Sequence, residues 1–478
     1  MPHFMTMPHF MTRRAAFVLV LLGLSPAAAV AQQASSNPYY DFIQARRLES
    51  DGNSEGALAA LMRAAAADPR SAEIKAEIAA LYSRRNPPAR VESEKAAKEA
   101  LAIDENNVEA NRTLGYLYAS APGASGRPGV SPQDVKNAIL HLERAAAGTT
   151  GTDLNLQFTL GQMYLRNGEP QKSVQAVSRV VAQNPGNPQA RQLLATAYAA
   201  AGDLKGAIGT LQEVVEFLPA LAPDLARYLE QNGQLREAAA AYTLALTQRP
   251  NDRQLKLQRI AAFYNAKDFA EAARYAGEAR RQHPEDMNFP RVQARALFDA
   301  GDRSGAVAVA EQAAKTFPKD AQTQFTLVNL YQDAGRSADA EKVLRQMLAA
   351  EPANPQVLNH LGYLLAERGD QLDEAVALVQ KALQTDPDRP EYLDSLGWAL
   401  FKKGDLSDAA KYLSAAAAKL AEHSEIQDHL GDVQARRGML PDAIAAWTKA
   451  LAGNGEGIDK AEVEKKISNA RVKMQNAK

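Results

Sequence analysis

Glycine returns along this chain at Gly168, Gly202, Gly233, Gly301, Gly335, Gly369, Gly404 and Gly438, at spacings of 34, 31, 68, 34, 34, 35 and 34 residues. Proline keeps step at Pro185, Pro219, Pro250, Pro284, Pro318, Pro352 and Pro387. Alanine follows most of the glycines by five residues, at Ala207, Ala238, Ala306, Ala340, Ala409 and Ala443. Three residue types held in phase over so long a stretch restrict the chain to one structural unit copied end to end. Between these marks the apolar residues fall at i, i+3, i+4 and i+7, as in Leu327, Leu330, Tyr331 and Ala334, or Leu406, Ala409, Ala410 and Leu413. That is the helical period, so each unit is two short helices. Glycine relieves the tight turn between them, and proline stops the second helix before the next unit begins.

The first helices carry Leu114-Gly115-Tyr118, Leu160-Gly161-Tyr164, Leu194-Ala195-Tyr198, Leu361-Gly362, Leu396-Gly397 and Leu430-Gly431, and the second helices carry Ala207-Leu211, Ala340-Leu344, Ala409-Leu413 and Ala443-Trp447. In these residues and their spacing the chain resembles tetratricopeptide repeat proteins, whose pattern is W-x2-L-G-x2-Y, then A-x3-F, then P. The resemblance covers residues 38–452 and implies an all-α, right-handed superhelical solenoid of about twelve helix-turn-helix units, with first helices lining a concave groove. The units begin near residues 38, 72, 108, 154, 188, 219, 253, 287, 321, 355, 390 and 424. On this reading residues 38–107 are units 1 and 2, 108–153 unit 3, and 154–452 units 4 to 12. The length of 478 residues, which would suit about three separate domains, then belongs to one array.

Several units depart from the pattern. The second carries Pro87-Pro88, the sixth is three residues short after Leu218-Pro219, and the seventh has Lys267 where glycine is usual. The third is interrupted by a Gly/Pro/Ser loop over 120–130, after which Ser131-Pro132-Gln133-Asp134 reads as a helix cap, a first-turn proline and an acidic third residue. A tolerated surface insertion accounts for the loop better than a binding element does. Residues 453–459 read as a flexible break, and 460–478 as a charged helix whose Val463, Ile467, Ala470 and Met474 form one apolar stripe. Such a helix would cap the exposed end of the stack.

The amino terminus reads as a secretory signal peptide over residues 1–31, followed by a short linker at 32–37. Arg13 and Arg14 form a positive region, Ala15–Leu24 an apolar core of ten residues, and Ala29-Val30-Ala31 an A-x-A cleavage site. The sextet Met1–Thr6 is repeated as Met7–Thr12, and a start at Met1, Met7 or Met11 leaves the same leader. An apolar run this short is poorly matched to a bilayer, which leaves an uncleaved anchor as the lesser alternative. The chain has no cysteine, so it has no disulfide, no thiolate metal site, no cysteine nucleophile and no lipidation cysteine behind the leader. The resulting expectation is a soluble, unlipidated periplasmic protein.

Away from the buried Leu-Gly face, the first helices of the carboxyl-terminal half would present Phe325, Asn329 and Gln332, then Asn359, Tyr363 and Glu367, then Asp394, Trp398 and Phe401, then Asp428, Asp432 and Arg436. Phe325, Asn329, Asn359, Tyr363, Asp394, Trp398, Phe401, Asp428 and Asp432 form the candidate peptide-binding groove. Large aromatics anchor peptide interfaces, and side-chain amides bond an extended backbone. Trp398 and Phe401 have a second reading, as ordinary packing between helices. Arg291, Arg295, Phe298 and Tyr264 make the middle of the groove more basic. The Lys-x3-Asn pair with which chaperone-binding relatives grip a terminal carboxylate is absent from the first helices, since Lys465 and Asn469 lie in the terminal helix.

Enzyme signatures are missing. There is no phosphate-binding G-x-x-x-x-G-K-[ST] loop and no H-E-x-x-H, and Gly123-Ala124-Ser125-Gly126 lacks the spacing of a nucleophile elbow. His141, His283, His360, His423 and His429 are scattered and read as surface or groove residues. A formal net charge of −1 argues against nucleic acid as a partner. The expectation is a non-enzymatic periplasmic scaffold or adaptor, without cofactor or metal, that binds proteins or peptides of unknown identity. The stretches His360–Tyr363 and Tyr392–Trp398 resemble bacterial envelope repeat proteins, including outer-membrane adaptors of carboxyl-terminal processing proteases. Envelope assembly or exopolysaccharide export is the alternative, and an enzyme with an unrecognised groove site is the least favoured.

Overall fold

Most of the described hairpins share one plan: a capped first helix, a left-handed turn residue, and a second helix that buries alanine. The structure, a computed structural model, describes residues 37–121 and 129–476. The expected leader, nearly all of the linker, the middle of the 120–130 loop and the last two residues of the expected cap lie outside the described residues. Within them there are 25 α-helices, one 3-10 turn at Pro219–Leu221, and no strand. None of these helices is long and apolar enough to cross a membrane.

The chain divides into two compact bodies, one ending at Gln183 and the other starting at Asn184. The first holds four hairpins: α1 (Pro38–Ser50) with α2 (Ser54–Ala67), α3 (Ala72–Arg84) with α4 (Arg90–Leu101), α5 (Val108–Ala119) with α6 (Pro132–Gly148), and α7 (Leu154–Arg166) with α8 (Pro170–Gln183). The second holds eight. They are α9 (Pro188–Ala200) with α10 (Leu204–Gln212), α11 (Ala222–Gln231) with α12 (Leu235–Gln248), α13 (Arg253–Asn265) with α14 (Phe269–Gln282), α15 (Asn288–Asp299) with α16 (Arg303–Thr316), α17 (Ala321–Asp333) with α18 (Ser337–Ala350), α19 (Pro355–Arg368) with α20 (Leu372–Leu383), α21 (Pro390–Lys403) with α22 (Leu406–Lys419), and α23 (Ser424–Arg436) with α24 (Leu440–Ala452). A single helix, α25 (Lys460–Asn476), follows.

Caps set the starts. Asn107, Asp153, Asn187, Asp252, Asp320 and Asn354 each accept a backbone N–H from the first turn of the helix that follows. Ser131 does so from Asp134 N at 3.1 Å and also bonds the Asp134 carboxylate at 2.6 Å, as its sequence context predicts. The glycine between helices has positive φ, for example +84° at Gly202 and +96° at Gly404. Close packing is set by the other glycines: a Cβ on Gly362 would lie 2.5 Å from Val379 Cγ2 and 2.9 Å from the Ala375 carbonyl oxygen. A recurring bond then ties each of three first helices to the second helix before it, since Tyr118, Tyr164 and Tyr331 donate to Glu94, Glu143 and Glu311 at 3.1, 2.7 and 2.8 Å. Burial and the facing carboxylate push the Tyr331 hydroxyl up to about 12.

The three-residue deficit of the sixth unit falls in its first helix: after the Pro219–Leu221 turn, α11 has ten residues against thirteen in α9 and in α13. One expectation needs correction. The 453–459 segment is pinned at its start. Asn454 N donates to the Glu422 carbonyl at 2.9 Å, Ser424 N donates to Asn454 Oδ1 at 3.1 Å, and Gly455 N donates to Ser424 Oγ at 2.8 Å. α25 buries Val463, Ile467 and Ala470 against Ala443, Trp447 and Ala450 of α24, while Met474 is only half-buried.

Lys267 takes the turn conformation with φ of +59° despite its side chain. A Cβ in that region costs about 1–2 kcal/mol, part of which glycine gives back through its freer unfolded chain. Lys267→Gly is therefore expected to stabilise the second body by about 0.5–1 kcal/mol, read as a higher denaturation midpoint.

Candidate functional site

First helices can line an inner surface only if they approach one another more closely than the second helices do. They do so in both bodies: α3 touches α5 and α5 touches α7, and likewise α13–α15, α15–α17, α19–α21 and α21–α23, while no two consecutive second helices meet to a comparable degree. The inner face of the second body is thus made by α13, α15, α17, α19, α21 and α23.

Its middle part is open. A depression of about 320 Å³ between α15 and α17 is lined by Asn288, Arg291, Arg295, Thr326, Asn329 and Asp333 among others. Asn329 is exposed there. The arginines are not bare charge: Arg295 Nε donates to Asp299 at 2.9 Å, and Arg291 bonds Asn288 and lies 3.8 Å from Asp320. Tyr264 donates to the same Asp299 carboxylate, so the expected basic stretch is locally neutralised. Phe325 is half-buried with its ring centroid 4.8 Å from that of His360. Beside it Asn359 is buried, and its Oδ1 has no hydrogen-bond partner. An unpaired buried acceptor is costly, but this one is enclosed by the chain and is not presented to a partner.

The carboxyl-terminal part of the inner face is filled by the chain itself. Of the two readings of Trp398, the structure places it in the core, 8% exposed, with Phe401 half-buried against it at 5.0 Å between ring centroids. The Trp398 indole N–H donates to Glu367. Its ring also stacks on His429, centroids 3.9 Å apart and planes 14° apart. Tyr363 donates to Glu425 Oε1 at 2.7 Å, a bond that joins α19 to α23 past the intervening α21. Burial first, then Glu425, pushes the Tyr363 hydroxyl far up.

Four residues that matter here were not singled out by the sequence, or were read differently. His429, expected at the surface or in the groove, is buried, with Nδ1 at 3.0 Å from Asp394 Oδ1. Asp394, expected in the open groove, is buried with it. Lys466 turns inward from α25, the helix expected to cap the stack. Its Nζ lies 2.9 Å from Asp428 and 2.8 Å from Asp432, the other two acidic groove candidates. Glu425 had no role in the groove reading. Asp394 and His429 are 35 residues apart, so the period alone would have set them on neighbouring first helices at nearly the same level. Lys466 lies outside the period, and nothing in the sequence pointed to it.

Family profiles described as tetratricopeptide repeat match residues 297–362 and 334–399, and 224–287 and 395–457. Together they tile most of the second body onto the helix pairs described above. The chain is a tetratricopeptide repeat protein. A profile described as anaphase-promoting complex, cyclosome, subunit 3 matches residues 132–214 of this repeat protein. Among solved structures, Naa15/Naa10 bound to HypK-THB aligns at 18% identity, covering 86% of this chain and 68% of that one, with a TM-score of 0.44. Yeast Tom70 aligns at 13% identity over 92% and 96%, with a TM-score of 0.42. The APC/C hetero-tetramer Cut9-Hcn1 aligns at 12% over 91% and 96%, with a TM-score of 0.39. No curated protein sequence matches the chain.

The lysine that reaches in from α25 gives the repeat array a checkable joint. Burial holds the Asp428 carboxyl above its usual range despite Lys466. Lys466→Met keeps most of the apolar stem but strands two facing carboxylates, and is expected to cost about 1–3 kcal/mol. A lower unfolding midpoint and faster protease cleavage after Asn454 are the measurements.

Proposed function

We propose that this tetratricopeptide repeat protein is a non-enzymatic scaffold of the periplasm that holds a peptide segment or a partner protein against the inner face of α15, α17 and α19. Tetratricopeptide arrays are typically protein-binding scaffolds, which supports the general reading. The observation that carries the particular one is the juxtaposition, on the adjacent first helices α15, α17 and α19, of the open depression with its exposed Asn329 and the half-buried Phe325 against His360. An extended peptide offers what that surface lacks: a backbone N–H for the Asn329 amide and an apolar side chain for the Phe325–His360 pair. The docking site is therefore moved towards the middle of the second body from the Tyr363–Trp398–Phe401 cluster, whose rings are already engaged within the chain.

Partner capture with the chain after Ala31, repeated with Phe325→Ala combined with Asn329→Ala, tests this. The double variant is expected to keep its helical circular dichroism and to bind captured partners about tenfold or more weakly, in line with the loss of an anchoring aromatic and an amide. Unchanged affinity in a folded double variant would sink the docking site.

The periplasmic part of the proposal is supported by the Arg13-Arg14, Ala15–Leu24 and Ala29-Val30-Ala31 succession. It predicts a mature amino terminus at Gln32, read by sequencing the protein recovered from the periplasm. Intact protein held in the inner membrane would speak for the uncleaved anchor instead.

A further inference from the structure

A histidine and an aspartate buried together on the inner face of three successive first helices do more than fill space. His429 of α23 sits between two groups of α21: Asp394 at 3.0 Å from Nδ1, and the Trp398 ring stacked at 3.9 Å. All three are at most 8% exposed. From α19, Tyr363 approaches with ring centroids 6.4 Å apart and bonds Glu425, one helical turn before His429, while Glu367 takes the Trp398 N–H. On α23 itself Glu425, Asp428 and Asp432 are the nearby carboxylates, and Arg436 lies over Phe401 at 5.4 Å. Lys402 of α21 stands 4.8 Å from the Trp398 ring, and Lys466 of α25 bonds Asp428 and Asp432. α22 meets this part of the stack through Ala416 and Ala417, with Tyr412 beside them, and α24 meets α23 through Ala443 and Trp447.

The charges around the imidazole are therefore mostly negative. Asp394, Glu425 and Asp428 face it, and Lys466 answers only the outermost of them. A neutral His429 would still donate from Nδ1 to Asp394. Protonation adds the positive charge that offsets the inner carboxylates in a site closed to water, where such a charge counts most.

We propose that protonated His429 is a pH-operated latch on the inner face of α19, α21 and α23: its charge holds Asp394 and Trp398 in place with the Tyr363–Glu425 brace beside them, and its loss as pH rises slackens this stretch of the array. Burial disfavours the imidazolium, but Asp394, helped by Glu425 and Asp428, outweighs it and holds His429 above its ordinary value. The sign follows. A group raised in the folded state contributes its full stability below the unfolded value of about 6.5, and that contribution is lost as pH climbs through the higher folded value. The latch is thus closed in mild acid and released on the alkaline side of the ordinary histidine range.

Trp398 reports on it directly, because imidazolium quenches a stacked indole and the chain has only one other tryptophan, Trp447. In the full chain carrying Trp447→Phe, emission is expected to rise and shift to the red in a single transition above about pH 6.5. The thermal midpoint of the unmodified chain should fall over the same interval. Adding His429→Gln should abolish both responses. A pH-independent Trp398 emission, or a transition that survives His429→Gln, overturns the proposal. Should Trp447→Phe not fold, the histidine ring resonances of the unmodified full chain decide. The latch requires the resonance lost in His429→Gln to titrate above about 6.5 together with the loss of thermal stability, and titration at or below that value overturns it.

Discussion

A hairpin of two helices, each three to four turns long, carries more apolar surface than its two members can cover between them, so every hairpin here depends on its neighbours. Within each hairpin the fit is set by distance. At Gly362 the facing helix of the same hairpin passes so near that one added carbon would meet both Val379 and the Ala375 carbonyl oxygen, and Gly397 stands in the same relation to Leu413. Alanine on the second helices is buried at Ala207, Ala306, Ala340, Ala409 and Ala443. The Tyr118–Glu94, Tyr164–Glu143 and Tyr331–Glu311 bonds add direction to the contact, because each requires a particular register between a first helix and the second helix before it.

Most of this was legible because it repeats. A signal that recurs every 34 residues survives local exceptions, and the starts of nearly all first helices fall where the phase of glycine and proline sets them. The exceptions come from single sites that the period averages away. The short α10 is invisible in the proline spacing because Pro219 keeps its place three residues before the next helix, as Pro185 and Pro250 do. The pinned Asn454 segment depends on Ser424, thirty residues earlier, which no local composition reveals. The candidate site was less legible for a related reason. Helical position says that Trp398 points inward along the array, but not whether the space it points into is already taken. That depends on how far neighbouring first helices are drawn together, and here they are close enough for Tyr363 to reach two hairpins along.

The inner face of the second body is consequently of two kinds. Around α15 and α17 it is concave, open and balanced in charge, with the Asn329 amide exposed. Around α21 and α23 it is a core in its own right, holding rings and carboxylates that in a straighter array would face solvent. The charged side chains of the terminal helix belong to this second region through Lys466, which makes α25 part of the inner lining as well as an end cover.

The Tyr363–Glu425 bond carries a consequence for how the array comes apart. Repeat proteins are commonly treated as chains in which each element interacts only with the next, so that disorder spreads inward from an end one hairpin at a time. A bond from α19 to α23 is a second-neighbour coupling. It makes detachment of the last hairpin contingent on the state of α19, and so lengthens the cooperative segment at this end to the three hairpins α19–α24 together with α25. A profile of local opening along the second body would then step at α19 rather than grade smoothly towards the carboxyl terminus.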